Sequence, residues 1–193
     1  GSAASTLTVT VQAPAPVMNA AILGDTAICP GIESYSIPNI ANATSYTWTV
    51  NGGTILNGQG STGINVEWTG AGLQTVSVVA QNSCGASSAA SVTVRVHPSP
   101  TAPSVALQND TICEGSSTVI TASNSIGGNV SYNFYDAASG GNLLGVSPLT
   151  VSPATNTIYY LEVVNQFGCT NSNGRVPVTV YVIQAPTILG ISA

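Results

Sequence analysis

The sequence predicts an all-β protein built from two tandem β-sandwich domains. Short alternating runs rich in β-branched residues recur every 8–15 residues, bounded by Gly, Asn, Pro and Ser, and no stretch keeps a helical period. Strand and cysteine motifs repeat after about 85 residues, which indicates two similar domains in a row. Four evenly spaced cysteines predict one disulfide in each domain.

The alternating runs place the strands of both domains. In the first domain the predicted strands are 34–38, 45–50, 53–56, 64–69, 73–81 and 90–96. In the second domain they are 117–123, 131–136, 142–144, 157–165 and 174–182. We predict hairpin turns at Asn51-Gly52-Gly53 and Ser139-Gly140-Gly141, because Gly and Asn tolerate positive φ.

The repeat also sets the expected domain boundaries. The strand motif occurs three times, at 7–11, 92–96 and 178–182, but the cysteine motif occurs only twice, at 24–31 and 109–115. We therefore expect an excerpt of a longer array. Its predicted parts are 1–15 (a cloning scar plus the last strand of an upstream repeat, or the first strand of domain one), domain one at 16–98, a Pro-rich linker at 99–103, domain two at 104–184, and the start of a further repeat at 185–193.

The extra strand at 5–12 needs a partner, because an orphan strand would expose an unpaired edge. We expect it to pair within the chain or with a neighbouring chain.

Charge is scarce, and this excludes several classes of protein. Lys+Arg number 2 and Asp+Glu 7, with no lysine, so the chain lacks the basic footprint of a nucleic-acid binder and any lysine nucleophile. The apolar content is too high for a disordered acidic tail. No run approaches the ~20 apolar residues of a membrane-spanning helix, so membrane insertion is not expected.

The cysteines are Cys29, Cys84, Cys113 and Cys169. Three connectivities are open. Separations of 55 and 56 residues in the two copies favour Cys29–Cys84 and Cys113–Cys169; free buried thiols are the alternative. Unclustered cysteines argue against zinc, and a lysine-free, Ser/Thr/Asn-rich chain with an even cysteine number indicates an oxidising, extracytoplasmic compartment.

The first domain resembles the PKD-like immunoglobulin-type repeats of Bacteroidetes secreted proteins. Its matching motifs are Cys29-Pro30-Gly31, 43–50, Gly58-Gln59-Gly60, Val66-Glu67-Trp68 and Asn82-Ser83-Cys84-Gly85. The second domain resembles the immunoglobulin-like repeat found beside them, through Ile112-Cys113-Glu114-Gly115, 134–141, Tyr159-Tyr160 and Phe167-Gly168-Cys169.

The resemblance covers residues 16–183 and implies immunoglobulin-like β-sandwiches. It also implies export by the type IX system and display on, or release from, the cell surface. Antibody domains carry a tyrosine two residues before the second bridge cysteine, but Asn82 and Phe167 hold that place here. We therefore expect each bridge to staple loops at one end of its sandwich.

No catalytic or cofactor site is predicted. His97 is the single histidine and lies beside the linker, and the seven carboxylates are scattered, whereas glycoside hydrolysis needs two that face one cleft. Calcium is a weaker hypothesis, because Asp25, Glu33, Asp110 and Glu114 form no D-x-D-x-D loop.

Aromatic residues suggest where a ligand could bind. Trp48 and Trp68 alternate with aliphatic residues, which predicts that both belong to the core. In the second domain the alternation points Tyr135, Tyr160 and Tyr181 outward, on three strands that share one sheet in this fold. A glycan or protein contact is one interpretation, and cross-strand aromatic pairing or contact with a neighbouring domain is the other.

Two threonines fit a modification motif. Asp25-Thr26-Ala27 and Asp110-Thr111-Ile112 match the Asp-Ser/Thr-apolar acceptor of Bacteroidetes O-glycosylation, as the resemblance implies. The alternative is an Asp–Thr turn that leads into a strand.

The leading functional hypothesis is a non-catalytic spacer and adhesion module of a secreted or cell-surface protein. Adjacent repeats would be its partners, and it would hold a distal functional domain away from the cell. The alternative is a carbohydrate- or protein-binding module that uses the outward tyrosine face, in the service of a polysaccharide-degrading enzyme.

Overall fold

The structure is a computed structural model that describes residues 10–123 and 129–186. Within those ranges every helix or strand element is a β-strand, which confirms the all-β prediction. The chain divides between Pro98 and Ser99 into two compact units. In the described ranges, no helix is long and apolar enough to cross a membrane.

Unit one is a sandwich of two sheets, ordered β2-β5-β4 and β1-β8-β6-β3, with β7 paired to β6. Its strands are β1 (Ala27–Ile28), β2 (Gly31–Ser36), β3 (Ser45–Asn51), β4 (Gly53–Asn57), β5 (Gly63–Trp68), β6 (Gly72–Asn82), β7 (Gly85–Ala86) and β8 (Ala90–Val96). Trp48 and Trp68 are 2% and 1% exposed, so the prediction that they belong to the core is confirmed. Tyr35 meets Trp68 edge-on with ring centres 6.1 Å apart.

The predicted hairpin at Asn51-Gly52-Gly53 is wrong. β3 and β4 belong to different sheets, so this tight turn carries the chain across the sandwich. Gly52 has a φ of 80°, and a Cβ there would overlap the side chain of Gln74. The glycines signal the sharp turn correctly, but turn residues alone do not say which sheet receives the next strand.

Unit two has the same plan, with sheets ordered β10-β16-β15-β12-β13 and β14-β11-β9. Its strands are β9 (Ser104–Leu107), β10 (Thr111–Cys113), β11 (Thr118–Ser123), β12 (Val130–Tyr135), β13 (Leu143–Val146), β14 (Leu149–Val151), β15 (Thr157–Asn165) and β16 (Val176–Ile183). Here the turn through Ser139-Gly140-Gly141 does join an antiparallel hairpin, β12 to β13.

Each unit contains a short strand that lies parallel to its last strand. β1 pairs with β8, and β10 pairs with β16. Backbone bonds hold both pairs: Arg95 N–H donates to Thr26 O at 2.7 Å, and Tyr181 N–H donates to Asp110 O at 2.8 Å. Ile28 and Ile112 point inward from these strands, each 6% exposed.

The chain enters unit one at one end and leaves it at the other. The incoming segment lies on the β6–β7 turn, where Asn82 Nδ2 donates to Pro14 O at 2.8 Å. The last residue of β8, Val96, pairs with Gly72 at the opposite end of β6. We call the end where the chain enters a unit its proximal end, and the end where the chain leaves it its distal end.

Unit two has the same polarity. Ser104 begins β9 opposite Ser123, and Ser147 joins that level to β12 through bonds to Ala122 and Tyr132. Val130 faces Asn165 there, so all these residues form the proximal end. β16 ends at Ile183, beyond the Thr157 end of β15, which is the distal end.

Two terminal predictions fall mainly outside the described residues. Residues 5–9 of the predicted strand at 5–12 lie outside them, and residues 10–12 are not in a strand. Of the predicted start of a further repeat, residues 187–193 also lie outside the described ranges.

Candidate functional site: the cysteines and an outward tyrosine face

The prediction of one disulfide in each domain is wrong. Cys29 and Cys169 are disulfide-bonded, whereas Cys84 and Cys113 are free and exposed to solvent. Neither predicted pair, Cys29–Cys84 or Cys113–Cys169, therefore exists in the structure.

The geometry of unit one explains why its two cysteines do not pair. Cys29 follows Ile28, which is level with Val96 at the distal end. Cys84 lies in the turn between Asn82 and Gly85 at the proximal end. The intervening strand, β6, has 11 residues and is roughly 33 Å long at about 3.3 Å per residue, while a disulfide needs Cα atoms within about 7 Å.

Unit two repeats this arrangement. Cys113 pairs with Ile183 at the distal end, and Cys169 O accepts a bond from Asn165 N–H at the proximal end. β15 has 9 residues, so it separates the two cysteines by at least roughly 26 Å. The expectation that each bridge staples loops at one end of its own sandwich is therefore also wrong.

The tyrosines of the outward face do not form one platform. Tyr135 and Tyr160 are half-buried direct neighbours across β12 and β15. Tyr160 is level with Pro177 on β16, four residues before Tyr181, so Tyr181 lies roughly 13 Å farther along the sheet. Tyr181 is 51% exposed, and its ring is the accessible one of the three.

Arg175 covers the ring of Tyr135. Its guanidinium carbon lies 3.3 Å from the ring centre, the geometry of a cation–π contact. Its Nε is 3.4 Å from Glu162, and its Nη1 donates to the carbonyls of Ala137 and Gly140 at 2.8 and 2.6 Å. With a side chain only 11% exposed, Arg175 holds the β12–β13 turn and occupies the ring face that a sugar would need.

No motif in the sequence identifies Arg175 as a site residue. The one sequence feature that could have pointed to Arg175 is that the chain contains only two Lys or Arg side chains. The nearby turn is fixed by Asp136, whose carboxylate accepts bonds from Asn142 N–H and Nδ2 at 2.7 and 2.9 Å. These hydrogen bonds hold the pKa of Asp136 below its usual value.

A shallow open groove of about 410 Å³ lies between the proximal ends of β12 and β15. Its polar side chains largely bond to each other: Ser131 Oγ donates to Asn133 Oδ1 at 2.8 Å, and Asn129 Nδ2 to Gln166 Oε1 at 3.4 Å. No group of three or more His, Cys, Asp or Glu side chains that could hold a metal occurs in 10–123 and 129–186.

Thr26 and Thr111 are both exposed, but they are not structural equivalents. In unit one the carbonyl of Thr26 accepts a hydrogen bond from the last strand, and in unit two the carbonyl of Asp110 accepts the equivalent bond. Thr26 therefore corresponds to Asp110, and Thr111 lies one residue later, inside β10. Their use as glycan acceptors stays a prediction.

Comparison with known proteins agrees with this architecture. Residues 15–94 match the PKD-like domain and residues 100–183 match the CHU_C-associated Ig-like domain. The chain is a tandem of these two immunoglobulin-like domain families. Domains of these families are typically non-catalytic modules.

Several solved structures are similar to the chain at low identity. Murine CEACAM1b is 16% identical with a TM-score of 0.40, over 86% of this chain and 100% of that chain. Fibronectin(III)-like modules of Clostridium thermocellum CbhA are 16% identical with a TM-score of 0.41, over 89% of this chain and 99% of that chain. Chicken CNTN1 FN1–FN3 domains are 13% identical with a TM-score of 0.44, over 89% of this chain and 70% of that chain. No curated protein matches the chain.

Proposed function

We propose that this chain is a non-catalytic structural spacer and adhesion module of a larger secreted or cell-surface protein. One observation carries the proposal: each unit receives the chain at its proximal end and releases it at its distal end. A domain of that polarity adds its own length to an array, whereas a domain with adjacent termini hangs from it as a side branch.

The family and the surface support an extracellular location. CHU_C-associated domains imply Bacteroidetes proteins of the type IX secretion route, and disulfide-bonded cysteines suit an oxidising compartment. The low charge, with net −5, leaves little long-range electrostatic attraction for nucleic acid or charged partners. Adjacent repeats are the partners we propose, and neither a cofactor nor catalysis is part of the function.

The alternative, a carbohydrate- or protein-binding module, rests on the exposed ring of Tyr181. Arg175 covers Tyr135, and Tyr160 is half-buried beside it, so the face lacks the open aromatic stack that sugars prefer. Accessory action beside a polysaccharide-degrading enzyme would require a ligand for this face.

A glycan array separates the two functions. We expect the chain to show no saturable binding to bacterial and plant polysaccharides, because its outward face offers only one accessible tyrosine. Saturable binding that is lost in Tyr160→Ala or Tyr181→Ala would contradict the spacer proposal and establish the alternative. Thr121→Ala, on the other sheet of unit two, is the matched control and should leave any binding unchanged.

A further inference from the structure

Cys84 and Cys113 are exposed thiols in a chain whose other two cysteines are disulfide-bonded. Each lies at one extremity of its unit: Cys84 in the proximal turn of unit one, and Cys113 at the distal end of unit two. The within-unit distances of roughly 33 and 26 Å exclude a bond to the other cysteine of the same unit.

Each unit has one cysteine at its distal end and one at its proximal end. Cys113 ends, and Cys29 directly follows, the short strand that lies parallel to the last strand of its unit, at the distal end. At the proximal end the match is one of location only: Cys84 lies in the turn two residues after Asn82 and is exposed, whereas Cys169 lies beyond its turn, pairs with Asn165 and is 1% exposed. Asn82 Oδ1 accepts from Cys84 N–H at 2.8 Å, and Asn165 Oδ1 from Cys169 N–H at 2.9 Å.

Each free cysteine therefore has a counterpart that is bonded. Cys29 carries a disulfide at the distal position, and Cys169 carries one at the proximal position. Disulfide-bonded cysteines thus occur at both kinds of unit end, and Cys113 and Cys84 lie at those same ends of the other unit.

We propose that Cys84 and Cys113 form disulfides with the flanking repeats of an array. The partner of Cys113 is a proximal-end cysteine of the following repeat, and the partner of Cys84 is a distal-end cysteine of the preceding one. Chain connectivity selects these partners, because the chain leaves each unit at the distal end and enters the next at the proximal end. The inference rests on the array arrangement in the proposed function.

The bond forms by thiol–disulfide exchange with a low-molecular-weight or enzyme disulfide. A thiolate, Cys113 for example, attacks the oxidant, which releases one reduced thiol and leaves a mixed disulfide. The partner thiolate displaces the second half of the oxidant. Two protein thiols lose two protons and two electrons, and one oxidant disulfide becomes two thiols.

A concatemer of this chain tests the inference. Ile183 of one copy is joined directly to Gln12 of a second copy, so that the β16 strand runs into the segment that naturally leads into unit one. The protein is oxidised with oxidised glutathione and mapped by mass spectrometry of non-reduced peptides. We expect a bond between Cys113 of the first copy and Cys84 of the second.

At about 10 µM protein, this bond should form about 100-fold faster than dimers, because short linkers give effective concentrations near the millimolar range. The matched control moves the thiol of the second copy to the other end of unit one, as Cys84→Ser with Ala71→Cys. Residue 71 is exposed and precedes β6 at the distal end. This control should remain as glutathione adducts.

The inference is overturned if Cys113 and Cys84 end as glutathione adducts or intermolecular dimers in the folded concatemer. It is also overturned if the control cross-links equally, since proximity alone would then explain the bond. Retention of the disulfide-bonded state of Cys29 and Cys169 verifies folding. Ligand binding on the glycan array would contradict the spacer function without affecting this result.

Discussion

At the residue scale, unit one depends on a few large side chains that satisfy their polar atoms inside the core. Tyr35 is 1% exposed and its hydroxyl donates to Asp25 O at 3.1 Å. The indole Nε1 of Trp48 donates to Ser61 O at 2.8 Å. Such bonds matter because a buried polar group without a partner costs about 1–3 kcal/mol.

Tyr35 should make unit one sensitive to alkaline pH. Burial raises its pKa from 10.0 to about 12, so the folded state holds the phenolic proton more tightly than the unfolded state. The stabilisation is fully present below pH 10 and is lost as the pH rises through 12. Tyr35→Phe should flatten this loss between pH 10 and 12, measured by urea unfolding.

Tryptophan fluorescence reports unit one alone in this experiment, because both tryptophans, Trp48 and Trp68, lie there. Tyr181→Phe, at an exposed ring of unit two, is the control and should keep the parental profile. A Tyr35→Phe variant with the full parental pH dependence would show that another group titrates.

At the scale of the strand, β3 shows how a neutral side chain protects a sheet edge. β3 is the last strand of its sheet, and exposed edges invite pairing with other chains. Gln59 covers it as a strand would: its Oε1 accepts from Trp48 N–H at 2.8 Å and its Nε2 donates to Trp48 O at 2.9 Å. Gly60 adds two backbone bonds to Tyr46.

Removing this cover should destabilise unit one and promote aggregation. We expect Gln59→Ala to lower the free energy of unfolding by about 1–3 kcal/mol, since two bonds to part-buried backbone groups are lost. Chemical denaturation and light scattering on heating measure the two effects. Gln81→Ala removes an exposed amide bond to Thr47 and should cost much less; equal losses would refute the edge-covering role of Gln59.

The sequence predicted the long strands well because alternation is a clear signal over six or more residues. β15 was predicted at its observed bounds, 157–165. The strands β1 and β7, of two residues each, were not predicted, because so short a segment has no period. The role of Gln59 was not predicted either, since a side chain that bonds to the backbone of a strand produces no pattern in the sequence.

The cysteine pairing failed for a different reason. Two copies of one spacing are equally compatible with a bond inside each repeat and a bond beyond it, so the sequence could not decide. The decision lies in strand direction, which places Cys29 and Cys84 at opposite ends of unit one. Likewise, alternation predicted an outward Tyr135, but nothing in the pattern showed that Arg175 would cover its ring.

At the scale of the whole molecule, stability rests on apolar packing and neutral hydrogen bonds. The chain has net charge −5, and in the described ranges Arg175–Glu162 is the one ion pair between side chains. Salt therefore has few charge–charge interactions to screen and should change stability little.

We expect thermal unfolding to be nearly independent of sodium chloride. Screening of a single ion pair changes stability by at most about 1 kcal/mol, so the midpoint should move by no more than about 4–8 °C between about 0.05 and 0.5 M. Calorimetry measures this directly, and Glu162→Gln, which removes the pair, is the control. A larger shift in the parent protein would mean that unpaired charges contribute more to stability than this view allows.

The parallel pairs β1·β8 and β10·β16 have a mechanical consequence. Tension that reaches such a pair pulls its short strand toward the proximal end and the last strand of the unit toward the distal end, so the two strands slide along each other. Under such shear, bonds like Arg95 N–H to Thr26 O and His97 N–H to Ile28 O share the load and must rupture together. Each pair therefore resists extension of its unit through a few backbone bonds that are loaded together.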